Sequence, residues 1–316
     1  MKISKIIPIL FGISIVAGFI YKIGISELIN SISEVNKIYL LISSVILLIT
    51  MLIKSLRWYY ILKPLGPVNR KIAFGSYFIG QATNEILPTG SGELARLTIL
   101  KKHTNRSFTW FSPSVILERL YDMFLLLVLS IFLAYKVESG FALLILFSII
   151  GFIGIVFIRP GFIDIPINLC KFLECKNILS NFFINLRSKI LEIQQGLLSY
   201  QMNTGILIIT FILTAVSWIF FETLSHYVLL LGFGIKIPYL SLLGIVAISW
   251  ILGTISMLPG GLGAREVVYA LMLTKFGVVL STGIAIAMMY RAIIYVLFGS
   301  FALVSVAIMD KREYNV

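Results

Sequence analysis

Long apolar runs separated by short polar segments dominate the chain. Several runs approach or exceed the roughly 20 residues that a helix needs to cross about 30 Å of hydrocarbon. They predict full spans at residues 6–23, 38–62, 112–135, 141–158, 205–231 and 280–309. The pattern therefore predicts an all-α, polytopic membrane helix bundle with about six full spans.

Two further apolar windows, 72–87 and 239–258, each end at the same short motif, Leu-Pro-x-Gly-x-Gly. The two copies lie 171 residues apart and pair Pro88 with Pro259, Gly90 with Gly261, and Gly92 with Gly263. Interrupted hydrophobic segments at corresponding places in two halves are typical of transporters with inverted repeats. We therefore predict two broken or re-entrant helical hairpins; two ordinary loops between short full spans, for 7–8 spans in all, are the alternative.

Three predicted spans separate the two motifs, so the second repeat is expected to enter the membrane upside down relative to the first. We interpret residues 1–316 as a single membrane domain. It divides into a first span and outer interfacial segment (1–36), repeat 1 (37–136), a fourth span with a cytoplasmic interfacial helix (137–203) and repeat 2 (204–309).

Composition supports a membrane protein and excludes a soluble globule, because 59% of the residues are hydrophobic and only 13% are charged. The net charge of +12 comes from Lys and Arg at span ends rather than from one basic stripe, so no nucleic-acid partner is expected.

With both termini in the cytoplasm the chain obeys the positive-inside rule, which predicts a multi-pass protein of the cell membrane. The two cysteines and two histidines have no metal-ligand spacing, and no metal or cofactor is expected.

Charged residues inside the predicted spans are the main candidates for function, since a charge at the bilayer centre costs about 2.5 to 3.5 kcal/mol on insertion scales. Many of them flank the two motifs. After each motif a helix should restart and present free amides and a positive dipole end, which suits phosphate. The predicted substrate-binding residues are Glu93, Arg96, Glu118, Arg119, Asp122, Arg265, Glu266 and Arg291.

Structural ion pairs are the alternative interpretation of these charges. Glu93 with Arg96, and Arg119 with Asp122, stand three residues apart and can share a helix face. Glu222 and His226 stand four apart, which is compatible with a proton relay but more typical of a satisfied polar pair. No catalytic residue is assigned.

Three stretches resemble one family. NEILPTGSGELARLTIL (84–100), ERLYD (118–122) and LPGGLGARE (258–266) are similar to the transmembrane flippase domain of lysylphosphatidylglycerol synthases, and equally to the stand-alone integral membrane proteins grouped with it. The positions that match by motif are Pro88, Gly90, Gly92, Glu93, Arg96, Glu118, Arg119, Pro259, Gly261, Gly263 and Glu266, with Asp122 and Arg291 matching more loosely. In the bifunctional synthases this domain is thought to move an aminoacylated phospholipid between leaflets. Without a soluble catalytic domain after Met309, the resemblance implies lipid handling rather than aminoacyl transfer.

The leading hypothesis is a lipid translocase that holds an anionic or zwitterionic phospholipid or polyprenyl-phosphate headgroup at a midplane site between the two repeats. Membrane lipids are then its partners, and the chain is not itself an enzyme. Two alternatives stay open. One is a membrane-embedded transferase acting on lipid-linked phosphate, with Glu93 or Asp122 as general base. The other is a noncatalytic subunit that assists a separately encoded lipid-modifying enzyme.

Overall fold

Helices form the whole regular structure of the described residues, which are 35–88, 90–134, 167 and 180–310 of this computed structural model. The predicted spans at 6–23 and 141–158, and both cysteines, lie outside those residues. The helices are α1 (Lys37–Leu62), α2 (Arg70–Ile86), α3 (Ser91–His103), α4 (Phe108–Ala134), α5 (Ser180–Gln201), α6 (Thr204–Ala215), α7 (Thr223–Gly232), α8 (Tyr239–Ile255), α9 (Ala264–Thr274) and α10 (Leu280–Asp310). Short 3₁₀ turns occupy Lys63–Leu65 and Pro259–Gly261.

Three segments of this part of the chain are long and apolar enough to cross a membrane: Lys37–Leu65, Thr204–Gly232 and Leu280–Met309. They confirm the spans predicted at 38–62, 205–231 and 280–309. The middle one differs from a plain helix, because α6 and α7 are joined by a π-helical segment, Val216–Glu222. The span predicted at 112–135 corresponds to α4, a helix of 27 residues with Pro113 inside it.

Both Leu-Pro-x-Gly-x-Gly motifs interrupt a helical hairpin, as predicted. Helix α2 packs against α3 across the first motif, and α8 packs against α9 across the second. With 13 and 11 residues, α3 and α9 are only about 20 Å and 17 Å long, which is too short to cross the hydrocarbon. Helix length thus favours the broken or re-entrant interpretation over complete spans, while the inverted orientation of the repeats stays a prediction.

Helix α1 occupies the centre of the bundle and contacts α2, α4, α6 and α7. Its side chains Met51 and Trp58 are fully buried, whereas Ile38 and Leu41 are exposed and suit a lipid-facing surface. Helix α10 closes the bundle by packing on both hairpins, against α2 and α9. The second motif itself contacts α2, so the two interrupted hairpins meet in the interior.

The helix expected in the polar insertion 159–203 is present as α5, which packs against α4 and the Lys63–Leu65 turn. A Cβ on Gly196 would lie 2.8 Å from the ring of Pro113, so glycine permits this close approach. The Glu192 carboxylate accepts hydrogen bonds from the hydroxyls of Ser107 (2.6 Å) and Thr109 at the turn between α3 and α4. These contacts fasten α5 to the first hairpin; its location in the membrane interface stays a prediction.

Candidate functional site

A polar cavity of about 90 Å³ lies between the two interrupted hairpins. Its charged lining residues come from both halves of the chain and are Lys54, Arg57, Glu85, Arg119, Asp122, Glu222 and Arg265. Gly260 and Gly261 of the second motif also line it. A buried water needs about 10 to 15 Å³ measured in this way, so the cavity has room for several waters or a small charged group.

The first motif turns the chain through an extended Leu87 and Pro88 into a left-handed Gly90 (φ 96°) before α3 begins. Asn84 of α2 caps this helix: its amide oxygen accepts the N–H of Gly92 at 2.7 Å, and its nitrogen donates to Glu93 at 3.2 Å. Gly92 is buried against the carbonyl of Gly80, where a Cβ has no space. The start of α3 is therefore already occupied by the protein's own side chains.

The second motif has more left-handed backbone, with positive φ at Gly260, Gly261 and Gly263. Helix α9 begins directly after Gly263, whose N–H donates to the Glu266 carboxylate at 2.7 Å. Both Gly92 and Gly263 are buried within the bundle, which agrees with helix ends that point into its interior. A helix thus begins directly after a positive-φ glycine in both motifs, at Gly90 and at Gly263.

Arg57 of α1 is the centre of an ion network in the first half. It donates to both Asp122 oxygens (2.6 and 3.1 Å) and to Glu118 (2.6 Å), while Glu118 also accepts from Arg96 at 2.6 Å. Arg57 and Arg96 are almost inaccessible, and the Arg96 guanidinium lies over the rings of Trp58 and Tyr77. Arg119 completes the network through an ion pair with Glu93.

These partners correct the local pairing that sequence spacing suggested. Arg96 bonds Glu118 rather than Glu93, and Arg119 bonds Glu93 rather than Asp122. A pair three residues apart on a helix surface contributes only about 0.2 to 0.5 kcal/mol. The interior of the bundle instead aligns charges on neighbouring helices, where low dielectric strengthens each contact.

Arg291 of α10 connects the second motif to α2. Its Nε donates to Glu266 at 2.5 Å, one terminal nitrogen donates to the Gly260 carbonyl at 2.9 Å, and the other contacts Glu85 at 3.4 Å. Glu85 stands near the end of α2, two residues before the first motif. Arg291 is therefore a direct connection between the two interrupted hairpins.

Arg265 differs from the other buried arginines. Its nearest carboxylate is Glu266, 3.8 Å from Nε, and Arg291 already engages that carboxylate. Its two terminal nitrogens are buried and have no hydrogen-bond partner within the described residues. The guanidinium lies over the Trp250 ring at 4.5 Å and lines the central cavity. Among the described residues, neither terminal nitrogen of Arg265 is hydrogen-bonded, whereas Arg96 keeps one of its terminal nitrogens bound to Glu118.

Lys54 and Glu222 form a second charged pair on the cavity wall, 2.8 Å apart, with the Lys54 nitrogen 3.9 Å from the centre of the Trp218 ring. Glu222 also accepts the hydroxyl of Tyr290 at 2.7 Å. The satisfied polar pair suggested for Glu222 and His226 is wrong: neither ring nitrogen of His226 has a partner among the residues described. The π-helical segment ends at Glu222 and displaces it from the ordinary helical register.

His226 instead stacks on Tyr290 with 3.7 Å between ring centres. It lines a small cavity of about 10 Å³ together with Arg265 and Tyr269, whose hydroxyl also lacks a partner within the described chain. This space is close to what one buried water needs, and a water there would hydrogen-bond His226 and Tyr269.

The sequence-predicted binding residues divide into two groups. Arg119, Asp122 and Arg265 line the cavity. The remaining ones, Glu93, Arg96, Glu118, Glu266 and Arg291, hold those side chains or the motifs in place. Lys54, Arg57 and Glu85 also contribute to the site and were not among the predicted binding residues. Lys54 and Arg57 interrupt an apolar span, a pattern that by itself marks candidates for function.

The fold and the cavity together define the class of this protein: an all-α integral membrane bundle with two interrupted helical hairpins around a charged interior site. Residues 6–300 match the family model described as "Lysylphosphatidylglycerol synthase TM region". The chain therefore belongs to the lysylphosphatidylglycerol synthase transmembrane-region family, which confirms the resemblance found in the motifs.

Several membrane proteins grouped as UPF0104 are similar to the chain over most of its length. One from Methanocaldococcus jannaschii is 25% identical and covers 100% of this chain and 98% of the relative. One from Methanothermobacter thermautotrophicus is 23% identical, covering 93% and 92%. A second M. jannaschii protein is 29% identical over 69% of this chain and 91% of its own length. No solved structure gives a significant match.

Proposed function

We propose that this protein is a lipid translocase whose central cavity receives a phosphate-bearing headgroup while the acyl or prenyl chains stay in the bilayer. The supporting observation is Arg265, a buried arginine that lines the cavity and whose two terminal nitrogens have no hydrogen-bond partner among the residues the structure describes. Leaving such donors unsatisfied costs free energy, and a phosphate diester or monoester offers oxygens in a matching bidentate geometry.

The surroundings of Arg265 favour an anion that arrives from outside the protein. Arg265 is the second residue of α9, so the positive end of that helix lies beside it. Gly260 and Gly261 also line the cavity, and the absence of a side chain at Gly260 lets Glu85 and Arg291 approach this wall closely. Glu85, Asp122 and Glu222 on the same wall suit the ammonium or hydroxyl groups of a phospholipid headgroup.

The test is lipid movement in liposomes that contain the purified full chain and a phospholipid with a fluorescent headgroup label. Wild type should expose labelled inner-leaflet lipid to an added quencher, and Arg265→Gln should slow this at least about tenfold, the equivalent of 1.4 kcal/mol. Arg106→Gln is the matched control, since Arg106 is an exposed arginine on the α3–α4 turn, away from the cavity.

Equal rates for wild type and Arg265→Gln would contradict the assignment of the cavity as the headgroup site. No movement above that of protein-free liposomes would contradict translocation itself. Mass spectrometry of the recovered lipid separates the enzyme alternative, because a translocase returns its lipid chemically unchanged, whereas a transferase does not.

A further inference from the structure

The buried charges of the described bundle balance. Five buried cations, Lys54, Arg57, Arg96, Arg265 and Arg291, stand among five buried carboxylates, Glu93, Glu118, Asp122, Glu222 and Glu266. The partly exposed side chains of Arg119 and Glu85, 37% and 10% accessible, add one further charge of each sign at the cavity wall. Most of the ion pairs are nearly inaccessible to solvent. Without a bound ligand, the formal charges of the interior side chains in the described residues therefore sum to zero.

A lipid phosphate in the cavity changes this balance. A phosphate diester adds one negative charge, and an uncompensated charge in a low-dielectric interior costs several kcal/mol. The described interior contains no spare cation to offset it, because six carboxylates already match the six cations. Uptake of one proton by a carboxylate restores neutrality, and it is the response that buried acids normally give to such a cost.

The contacts of the six carboxylates identify which one is free to accept that proton. Glu118, Asp122 and Glu266 each accept close hydrogen bonds from arginine, at 2.5 to 2.6 Å. Glu93 is paired with Arg119, and Glu222 with Lys54 at 2.8 Å. Each of these five is held by a close cation that favours its ionised form.

Glu85 is the exception. Its one ion contact in the described structure is the 3.4 Å approach to Arg291, a cation already bound to Glu266 and the Gly260 carbonyl. The Glu85 side chain is 10% exposed and lines the same cavity as Arg265. The site thus places the least paired carboxylate and the least paired guanidinium on one wall.

We propose that Glu85 binds a proton when a lipid phosphate binds to Arg265, so that lipid movement by this protein is coupled to proton movement. This inference rests on the proposed function of the cavity. The proton comes from a hydronium ion on the side where the lipid enters: one O–H bond of that ion breaks, an O–H bond forms at the Glu85 carboxyl, and a water molecule is left behind. The contact of Arg291 with Glu85 then loses its ionic component, while the contacts with Glu266 and Gly260 are kept.

The protonation of Glu85 is influenced by charged groups on every neighbouring element. They are Lys54 and Arg57 on α1, Glu93 on α3, Arg119 and Asp122 on α4, Glu222 on the π-helical segment, Arg265 and Glu266 on α9, and Arg291 on α10. Arg265 and Arg291 favour the ionised carboxylate of Glu85, whereas Glu222 and Glu266 oppose it. A phosphate that neutralises Arg265 removes one of the two favourable charges, so lipid binding itself promotes protonation.

The experiment measures protons taken up by the full chain in detergent when a short-chain lipid is added. Dihexanoyl-phosphatidylglycerol carries one negative charge and should cause uptake of about one proton per bound lipid, recorded with a pH indicator in weak buffer near pH 7. Glu85→Gln should bind this lipid without uptake. Dihexanoyl-phosphatidylcholine carries its own cation and should cause much less uptake.

Glu192→Gln is the matched control, because it makes the same chemical change on α5 outside the cavity and should retain full uptake. A measurement on wild type alone does not depend on whether a variant folds. The affinity of wild type for dihexanoyl-phosphatidylglycerol should fall about tenfold per pH unit over the pH range in which one full proton is taken up per bound lipid. Binding with a flat pH dependence, or equal uptake by Glu85→Gln, overturns the proton coupling and leaves the lipid site standing. Absence of lipid binding overturns both proposals.

Discussion

The two interrupted hairpins share a sequence motif but differ in how their charges are satisfied. Around the first motif, carboxylates bind Arg57, Arg96 and Arg119 directly, and Asn84 caps the restarting helix. Around the second motif, Arg291 is bound in the same way, whereas Arg265 keeps two unpartnered terminal nitrogens within the described bundle. Arg96 also has two unpartnered nitrogens in the described bundle, but one of its terminal nitrogens binds Glu118, whereas neither terminal nitrogen of Arg265 has a partner there. The first half is therefore the more completely paired of the two.

The two copies of the motif therefore share their backbone geometry but not the pairing of the charged side chains around them. Both copies restart a helix after a left-handed glycine, at Gly90 and Gly263. The side chains after the two motifs have different partners, because Arg96 binds Glu118 of α4, whereas Arg265 lines the cavity and lies 3.8 Å from its nearest carboxylate.

The largest expected effect tests the structural role of the first half. Arg57→Met leaves Glu118 and Asp122 buried with fewer cations, and breaking a buried ion network in this way costs about 3 to 5 kcal/mol. Thermal unfolding in detergent should show a large loss of stability. Arg265→Met is the comparison variant; it lacks a close carboxylate partner and should cost less than about 1 kcal/mol. Equal losses for both variants would remove the distinction between the two halves.

A smaller effect is expected within the first motif itself. Gly92→Ala forces a Cβ against the Gly80 carbonyl and Asn84, which are backbone and a capping side chain that have little freedom to shift. Overpacking of this kind costs about 1 to 3 kcal/mol. Gly90→Ala meets nothing within 4 Å and carries only the backbone cost of its positive φ, about 1 to 2 kcal/mol. Denaturation of the two variants should therefore rank Gly92→Ala as the less stable, and the opposite order would show that the close approach of α2 and α3 is dispensable.

The fold could be predicted from the sequence because few kinds of structure can span the hydrocarbon of a membrane. The spans at 38–62, 205–231 and 280–309 stand out since a helix in hydrocarbon needs a long apolar run. Both motifs were recognisable because proline and clustered glycines end helices in a way that few other residues do. The π-helical segment was not predicted, since Val216–Glu222 has no proline or glycine to mark it.

The sequence predicted which residues belong to the site better than it predicted which of them contact one another. Arg57 meets Asp122 across 65 positions of sequence, and Lys54 meets Glu222 across 168. Such pairs depend on how α1 crosses its neighbours, which hydropathy does not encode. Arg265 was predicted as a binding residue from its place after the second motif, but its lack of a partner became visible only with α10 bound to Glu266.

The smallest expected effect concerns the outer edge of the first half, where α5 is fastened by Glu192. Hydrogen bonds donated by Ser107 and Thr109 lower the pKa of the Glu192 carboxyl below its ordinary value. A carboxyl with a lowered folded-state pKa stabilises the fold above its unfolded pKa, and the contribution is lost as pH falls through the folded value. Because the side chain is partly exposed, Glu192→Gln should cost less than about 1 kcal/mol at pH 7. Thermal unfolding should show this difference shrinking below pH 4.5 or so; a difference that is constant with pH would mean that α5 is held by packing alone, as at Gly196 and Pro113, and not by the carboxylate.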